Sequence, residues 1–222
     1  GRQSLRVRGP YDEKGHSRGR PFDLRPVLDA TLQDLDLHFF QTTYLPAAVS
    51  REALSENERA LEDQLLSCRL LSPDRSTPTV AGVLVLGLDP QAWLPGAYIQ
   101  FARFAGPEMA DPIVDQKRLD GTLYQQARLV EDLLAVHIAL PVRMEAHRVR
   151  REEAPEYHVL ALRELIFNAM IHRTYENTFA PIRVSWFSDR VEILSPGGLF
   201  GQVTPDNFSP THVLVTVRRR PA

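Results

Sequence analysis

One stretch constrains the fold more than any other. From His158 to Arg173, the apolar residues Leu162, Leu165, Ile166, Ala169 and Met170 recur at helical spacing. Two β-type runs follow closely, Ile182-Arg183-Val184-Ser185-Trp186-Phe187 and Arg190-Val191-Glu192-Ile193-Leu194, parted only by Ser188-Asp189. A helix with an apolar stripe needs a surface to cover, and a hairpin with alternating apolar residues offers one. The pattern therefore predicts an α+β protein in which helices are layered on a mixed β-sheet.

The rest of the chain supplies further elements. Thr31 has the spacing of an N-cap with Asp34 at its third helical position, so Asp29 to Leu71 reads as helical. A second run opens at Ser55-Glu56-Asn57-Glu58, and Ser72-Pro73-Asp74 is a stop and turn. The continuous apolar run Val80-Ala81-Gly82-Val83-Leu84-Val85-Leu86 predicts a buried strand, as does Ala97 to Phe104 between Gly96 and Gly106. Thr122 to Leu140 predicts a long packed helix ended by Pro141, and Arg148-Val149-Arg150-Arg151 a short strand. Pro196-Gly197-Gly198 is expected to break the ladder after the hairpin, and the last twenty residues show no strong periodicity. Residues 1–26, basic and rich in Gly and Pro, read as an extended arm belonging to the end of a preceding domain.

Charge and cysteine content exclude several functions. With 26 basic and 28 acidic residues the net charge is −2, which argues against a general electrostatic nucleic-acid binder. The single Cys68 excludes an internal disulfide framework and a Cys-rich zinc module, and the seven histidines show no paired metal spacing. No apolar run reaches the ~20 residues of a membrane helix, so a cytoplasmic protein without a membrane partner is expected. Trp93 and Trp186 read as packing residues, and Cys68 as a small apolar one.

Within the 158–173 helix, Glu164, Asn168 and His172 recur every four residues. Each step of four drifts about 40°, so the three side chains share one arc. A carboxylate, a carboxamide and an imidazole on one line suit a polar site that faces inward beside the apolar stripe. The same spacing also suits an ordinary amphipathic helix with a polar edge. Downstream, Leu194-Ser195-Pro196-Gly197-Gly198-Leu199-Phe200-Gly201 is a Gly-rich turn leaving a strand, where backbone can pass close to a ligand. It matches neither the Walker phosphate loop nor the dinucleotide fingerprint.

The two features in this order carry a resemblance. Ala161-Leu162-Arg163-Glu164-Leu165-Ile166-Phe167-Asn168-Ala169-Met170-Ile171-His172-Arg173-Thr174-Tyr175 resembles the N box of GHKL ATPases, the class of gyrase, Hsp90, histidine kinases and MutL. Pro95 to Phe104, Pro181-Ile182-Arg183-Val184 and Asp189 to Leu199 narrow the resemblance. They resemble a bacterial and archaeal family of transcriptional regulators and RecG-like, ATP-dependent DNA helicase-related proteins. Its members join a Schlafen/AlbA-like divergent AAA domain to a C-terminal GHKL-like ATPase domain. The similarity runs from about Pro21 to Gly201, and the chain looks like the part after the AlbA-like domain.

The resemblance implies a truncated GHKL (Bergerat-like) ATPase fold for the C-terminal part, with ATP and Mg²⁺ as cofactors. Glu164 would be catalytic, orienting and deprotonating the attacking water. Asn168 would hold Mg²⁺ against the triphosphate, which fits an ion that prefers few protein oxygens. His172 would contact phosphate or ribose, and Gly197 and Gly198 would approach adenine. Ser195 stands where the family carries an adenine-binding Asp, and a hydroxyl is the weaker anchor. No second glycine box appears before Ala222, so this stretch is not expected to hydrolyse ATP measurably.

The expected organisation is an arm over 1–26, a helical and β connector over 27–110, and a GHKL-like nucleotide-binding region over 111–222. Nucleotide binding leads. Two other functions stay open: a non-catalytic dimerisation or scaffold domain acting as a homodimer, and winged-helix-like DNA binding through residues 50–90 aided by the basic arm. DNA is otherwise a partner of the full-length protein only.

Overall fold

The computed structural model describes residues 21–50, 52, 54, 59–138, 157–176, 178–197 and 212–218. Five strands form one sheet: β1 (Ile99–Phe104), β2 (Ile113–Leu119), β3 (Ile182–Trp186), β4 (Arg190–Pro196) and β5 (His212–Arg218), in the order β2-β1-β3-β4-β5. The β1–β3 pair is parallel and the others antiparallel, which makes the sheet mixed as expected. β1 precedes residue 110 and bonds to both β2 and β3, so the sheet draws on residues either side of that position.

Four longer helices accompany it: α1 (Leu61–Ser67), α2 (Val80–Leu86), α3 (Leu123–Ile138) and α4 (Val159–His172). α3 and α4 cover one face of the sheet. Val130, Leu133, Leu134, Leu162, Ile166 and Met170 from the helices meet Ile99, Phe101, Val184, Trp186, Val191 and Ile193 from the strands. Fully burying one such side chain contributes about 1.5–3 kcal/mol, so this layer is the main source of stability. His158 opens α4 by accepting the Ala161 amide on its ring nitrogen, and the hairpin turns at Ser188-Asp189 as the spacing indicates.

The first sixty described residues build a separate apolar cluster around Leu35, Phe40, Leu45, Leu65, Leu70, Leu71 and Leu86. Thr31 and Asp34 do form a capping box, but the turn they cap, Leu32–Asp34, is a single 3-10 turn. Leu37–Phe39, the π turn Phe40–Tyr44 and Leu45–Ala48 then follow one another, so the helical run of 29–71 is broken into short pieces. At the Ser72-Pro73-Asp74 turn, the Asp74 carboxylate accepts from Ser72 Oγ and from the amides of Ser76 and Thr77. Those bonds hold its pKa well below the usual carboxylate range.

Several expectations need correction. The 80–86 run is helix, not strand. Thr79 caps it by accepting the Gly82 amide at 3.0 Å, and Gly82 lets the helix press directly on the Leu70 backbone. A seven-residue apolar run that is buried nearly all round carries no period, so the cap decides. The winged-helix reading of 50–90 loses the strand it required. Pro196, opposite His212, is the last pair of the ladder, so the break expected over 196–198 falls directly after it. Two strands lie where the sequence predicts none: β2, a polar edge strand, and β5, whose sequence alternates Val213, Val215 and Val217 with a period of two. Phe22–Leu24 of the expected arm is a 3-10 turn rather than extended chain, and Phe22 packs against the small cluster of Val80, Leu84 and Ala97. The remainder of the arm, the run at 55–58, the strand at 148–151, and Gly198 onward to Thr211 lie outside the described residues.

Candidate functional site

α4 places the three spaced polar residues. Leu162, Ile166 and Met170 form its buried line, and Glu164, Asn168 and His172 sit two residues further on, about 200° round the axis. All three are therefore exposed, and the Glu164 side chain keeps 60% of its surface accessible. The expectation that they face inward is corrected by this offset: the line lies opposite the apolar stripe, not beside it. Glu164 Oε1 is 3.3 Å from Arg163 Nη2, a surface contact of small energetic weight.

The Gly turn meets the C-terminal end of α4. Ser195 is buried at 7% exposure, and its hydroxyl donates to the Ala169 carbonyl at 3.1 Å. Its proton is thus spent on the helix backbone. The Thr174 amide donates to the Pro196 carbonyl at 2.9 Å, which fastens the residue after α4 to the end of β4. Gly197 has φ +137°, and a Cβ there would stand 3.0 Å from the Thr174 nitrogen and 3.6 Å from the His172 carbonyl oxygen. Only glycine fits this conformation and this approach.

Ser195, Gly197 and His172 therefore gather at one end of α4. Asn168 and Glu164 follow along the helix, with Glu164 about 12 Å from His172 by the rise of an α-helix. Gly198 lies outside the described residues. The donor set suits a hard cation carried in by phosphate: one carboxamide oxygen and one carboxylate, both open to solvent. No group of three or more His, Cys, Asp or Glu able to hold a metal occurs among the described residues. A Mg²⁺ ion would thus depend on its nucleotide for most of its ligands.

Sequence reasoning missed Arg173. It is 6% exposed, and Nη1 donates to the Gly96 carbonyl at 2.9 Å, Nη2 to Ala180 at 3.0 Å and Nε to Thr174 at 3.3 Å. Its guanidinium stacks on Tyr175 at 4.4 Å. No carboxylate pairs with it among the described residues. Burial draws its pKa below the ordinary arginine value, with Tyr175 acting in the opposite sense. The Tyr175 hydroxyl, which donates to the Met170 carbonyl, is pushed up to about 12 chiefly by burial. An arginine directly after a helical run reads as solvated C-terminal charge, so nothing in the sequence marks it as buried.

Comparison with known proteins supports the coarse assignment. Residues 180–217, which contain β3, β4 and all but the last residue of β5, match the family described as "Putative ATP-dependent DNA helicase recG C-terminal". Three chains of known structure match. One is the DIP2311 protein of Corynebacterium diphtheriae, at 23% identity and a TM-score of 0.52. The match covers 86% of this chain and 30% of that chain, so the likeness is one of fold and spans under a third of the longer protein. No curated protein matches. Among the described residues no helix is long and apolar enough to cross a membrane.

Proposed function

We propose that this chain is the nucleotide-binding part of a RecG C-terminal-like ATPase domain, taking ATP with Mg²⁺ along the exposed line of α4. The observation that carries the reading is the contact of Gly197 with the His172–Thr174 end of that helix. It leaves backbone, without side chain, beside His172, from which Asn168 and Glu164 run back along the helix. The ligand would lie from the Gly197 turn, which approaches the base, toward Asn168 and Glu164. Bound Mg²⁺ supplies charge neutralisation to the phosphates. Asn168 would hold it through the carboxamide oxygen, and His172 would contact phosphate or ribose. By the same resemblance, Glu164 would orient the attacking water.

Binding, rather than turnover, is the function the geometry favours. Glu164 and Asn168 are open to solvent, and phosphoryl transfer gains most where water is excluded. In a family of transcriptional regulators and helicase-related proteins, such a module would report nucleotide state to the remainder of a longer chain. Titration of a fluorescent ATP analogue with and without Mg²⁺ tests this. Binding that needs Mg²⁺ and is lost in Asn168→Ala, while Glu164→Ala leaves it intact, is expected. Absence of binding at millimolar nucleotide contradicts it.

A second reading, self-association along β5, is favoured by one observation. β5 ends the sheet order, and its Leu214 is 56% exposed. A mass that rises with concentration in light scattering, without nucleotide binding, would support that reading instead.

A further inference from the structure

Arg163 borders the exposed line of α4 at the end away from the Gly197 turn. Its guanidinium reaches that line, where Nη2 donates to Glu164 Oε1 at 3.3 Å. On the other side Nη1 lies 3.8 Å from Glu131 Oε1 of α3, and the guanidinium carbon is 5.8 Å from the centroid of the Phe167 ring. A guanidinium carries five N–H donors in a planar fork. Among the described residues Arg163 makes one hydrogen bond with them, and its Nε, shut off from solvent, has no partner. Charge-assisted contacts usually close to about 2.7–2.9 Å, so the bond to Glu164 is a loose one. The side chain as a whole keeps 35% of its surface accessible. Arg163 is thus a cation within reach of solvent whose hydrogen-bonding capacity is largely unspent.

The charges at this end give that capacity a use. Arg163 is the one arginine or lysine of α4 and Glu164 its one carboxylate. Glu131 is already shared, since Arg128 holds its second oxygen at 3.3 Å. A phosphate chain that runs from the Gly197 turn past Asn168 ends beside the Glu164 carboxylate. Two like charges meet there, and a cation at the same place relieves them. By helix rise Arg163 lies about 13 Å from His172, so it addresses the far end of the phosphate chain and not the base. A nucleoside diphosphate ends one phosphate short of it.

We propose that Arg163 reads the terminal phosphate, which makes the site select nucleoside triphosphates over diphosphates. In the empty site the guanidinium rests on Glu164 and Glu131, through surface contacts weak enough to exchange. With a triphosphate bound, the fork turns to the terminal phosphate, whose oxygens match its paired donors, and Glu164 is released. The inference rests on the nucleotide reading above and adds the class of nucleotide that the site takes.

The test measures the affinities of ATP and ADP, each with Mg²⁺, on the whole chain. In Arg163→Gln, which removes the charge and the fork, ATP affinity falls about tenfold while ADP affinity stays within about twofold. A residue that only braces α4 against α3 weakens both ligands alike in this variant, and that result overturns the inference. Should the variant fail to fold in a thermal melt, the Arg163 Nε–H signal of the wild type decides in a ¹H–¹⁵N spectrum. It shifts at saturating ATP and stays in place at saturating ADP. An equal response to both nucleotides, or no response to bound ATP, overturns the inference. A wild-type chain that binds neither nucleotide removes the nucleotide reading and this inference together, whereas equal affinity for the two removes this one alone.

Discussion

The Ser195 hydroxyl donates to the Ala169 carbonyl across 3.1 Å, joining the end of β4 to the last turn of α4. One residue on, the Pro196 carbonyl accepts the Thr174 amide, and one further Gly197 touches the same helix end. Strand and helix are thus registered by one side-chain hydroxyl and two backbone contacts.

Gly197→Ala tests that registration. The new Cβ meets the Thr174 amide nitrogen at 3.0 Å in a conformation that L residues rarely adopt. A cost of about 1–3 kcal/mol is expected. For a chain of this length that lowers the melting temperature by roughly 2–4 °C per kcal/mol, readable by thermal denaturation.

Gly82→Ala sets two effects against each other. Helix propensity favours alanine by about 1 kcal/mol. The added Cβ, however, overlaps the Leu70 carbonyl oxygen, which is backbone and cannot swing aside. Overpacking of this kind costs about 1–3 kcal/mol, so the clash wins. Chemical denaturation will show a destabilised variant, and a more stable one contradicts the account of α2.

His137 makes stability depend on pH. Its Nδ1 lies 3.0 Å from Arg103 Nη1 and its Nε2 3.0 Å from Asp115 Oδ2, with Phe101 and Trp186 against the ring. Burial, then the charge of Arg103, lower its pKa below the ordinary 6.5, against the opposing Asp115. The fold prefers the neutral ring, so this contribution is complete above about pH 6.5 and is lost as pH falls through the lower folded value. Urea midpoints measured from pH 7.5 to 5 will fall in the wild type and change less in His137→Gln.

Leu162→Ala removes a fully buried side chain between α4 and the sheet. A loss of about 2–5 kcal/mol is expected in urea unfolding, with the midpoint shifted and the slope little changed.

How much of this was legible in the sequence varies with the signal each residue sends. Leu162, Ile166 and Met170 repeat at one helical spacing, and Val184, Trp186, Val191 and Ile193 alternate, so α4, β3 and β4 could be read directly. Val80 to Leu86 could not, because a run buried on all sides has no period and Thr79 alone reveals its helix. β2 was hidden by its own edge chemistry, since Asp115, Lys117 and Arg118 resemble a loop. In β5 the alternation of Val213, Val215 and Val217 is short and isolated near the end of the chain, so it carries a weaker signal than the hairpin. The Glu164, Asn168 and His172 line was correctly placed on one arc, but which arc depends on the buried line two residues away. Arg173 stayed hidden because burial of a charged residue is decided by distant carbonyls, at Gly96 and Ala180.

The most direct test of the central claim is to map where ATP with Mg²⁺ perturbs the backbone amides by NMR. The account predicts shifts concentrated at Asn168, His172, Thr174 and Gly197, and their loss in Asn168→Ala. Shifts confined to another surface, or none at saturating nucleotide, contradict it.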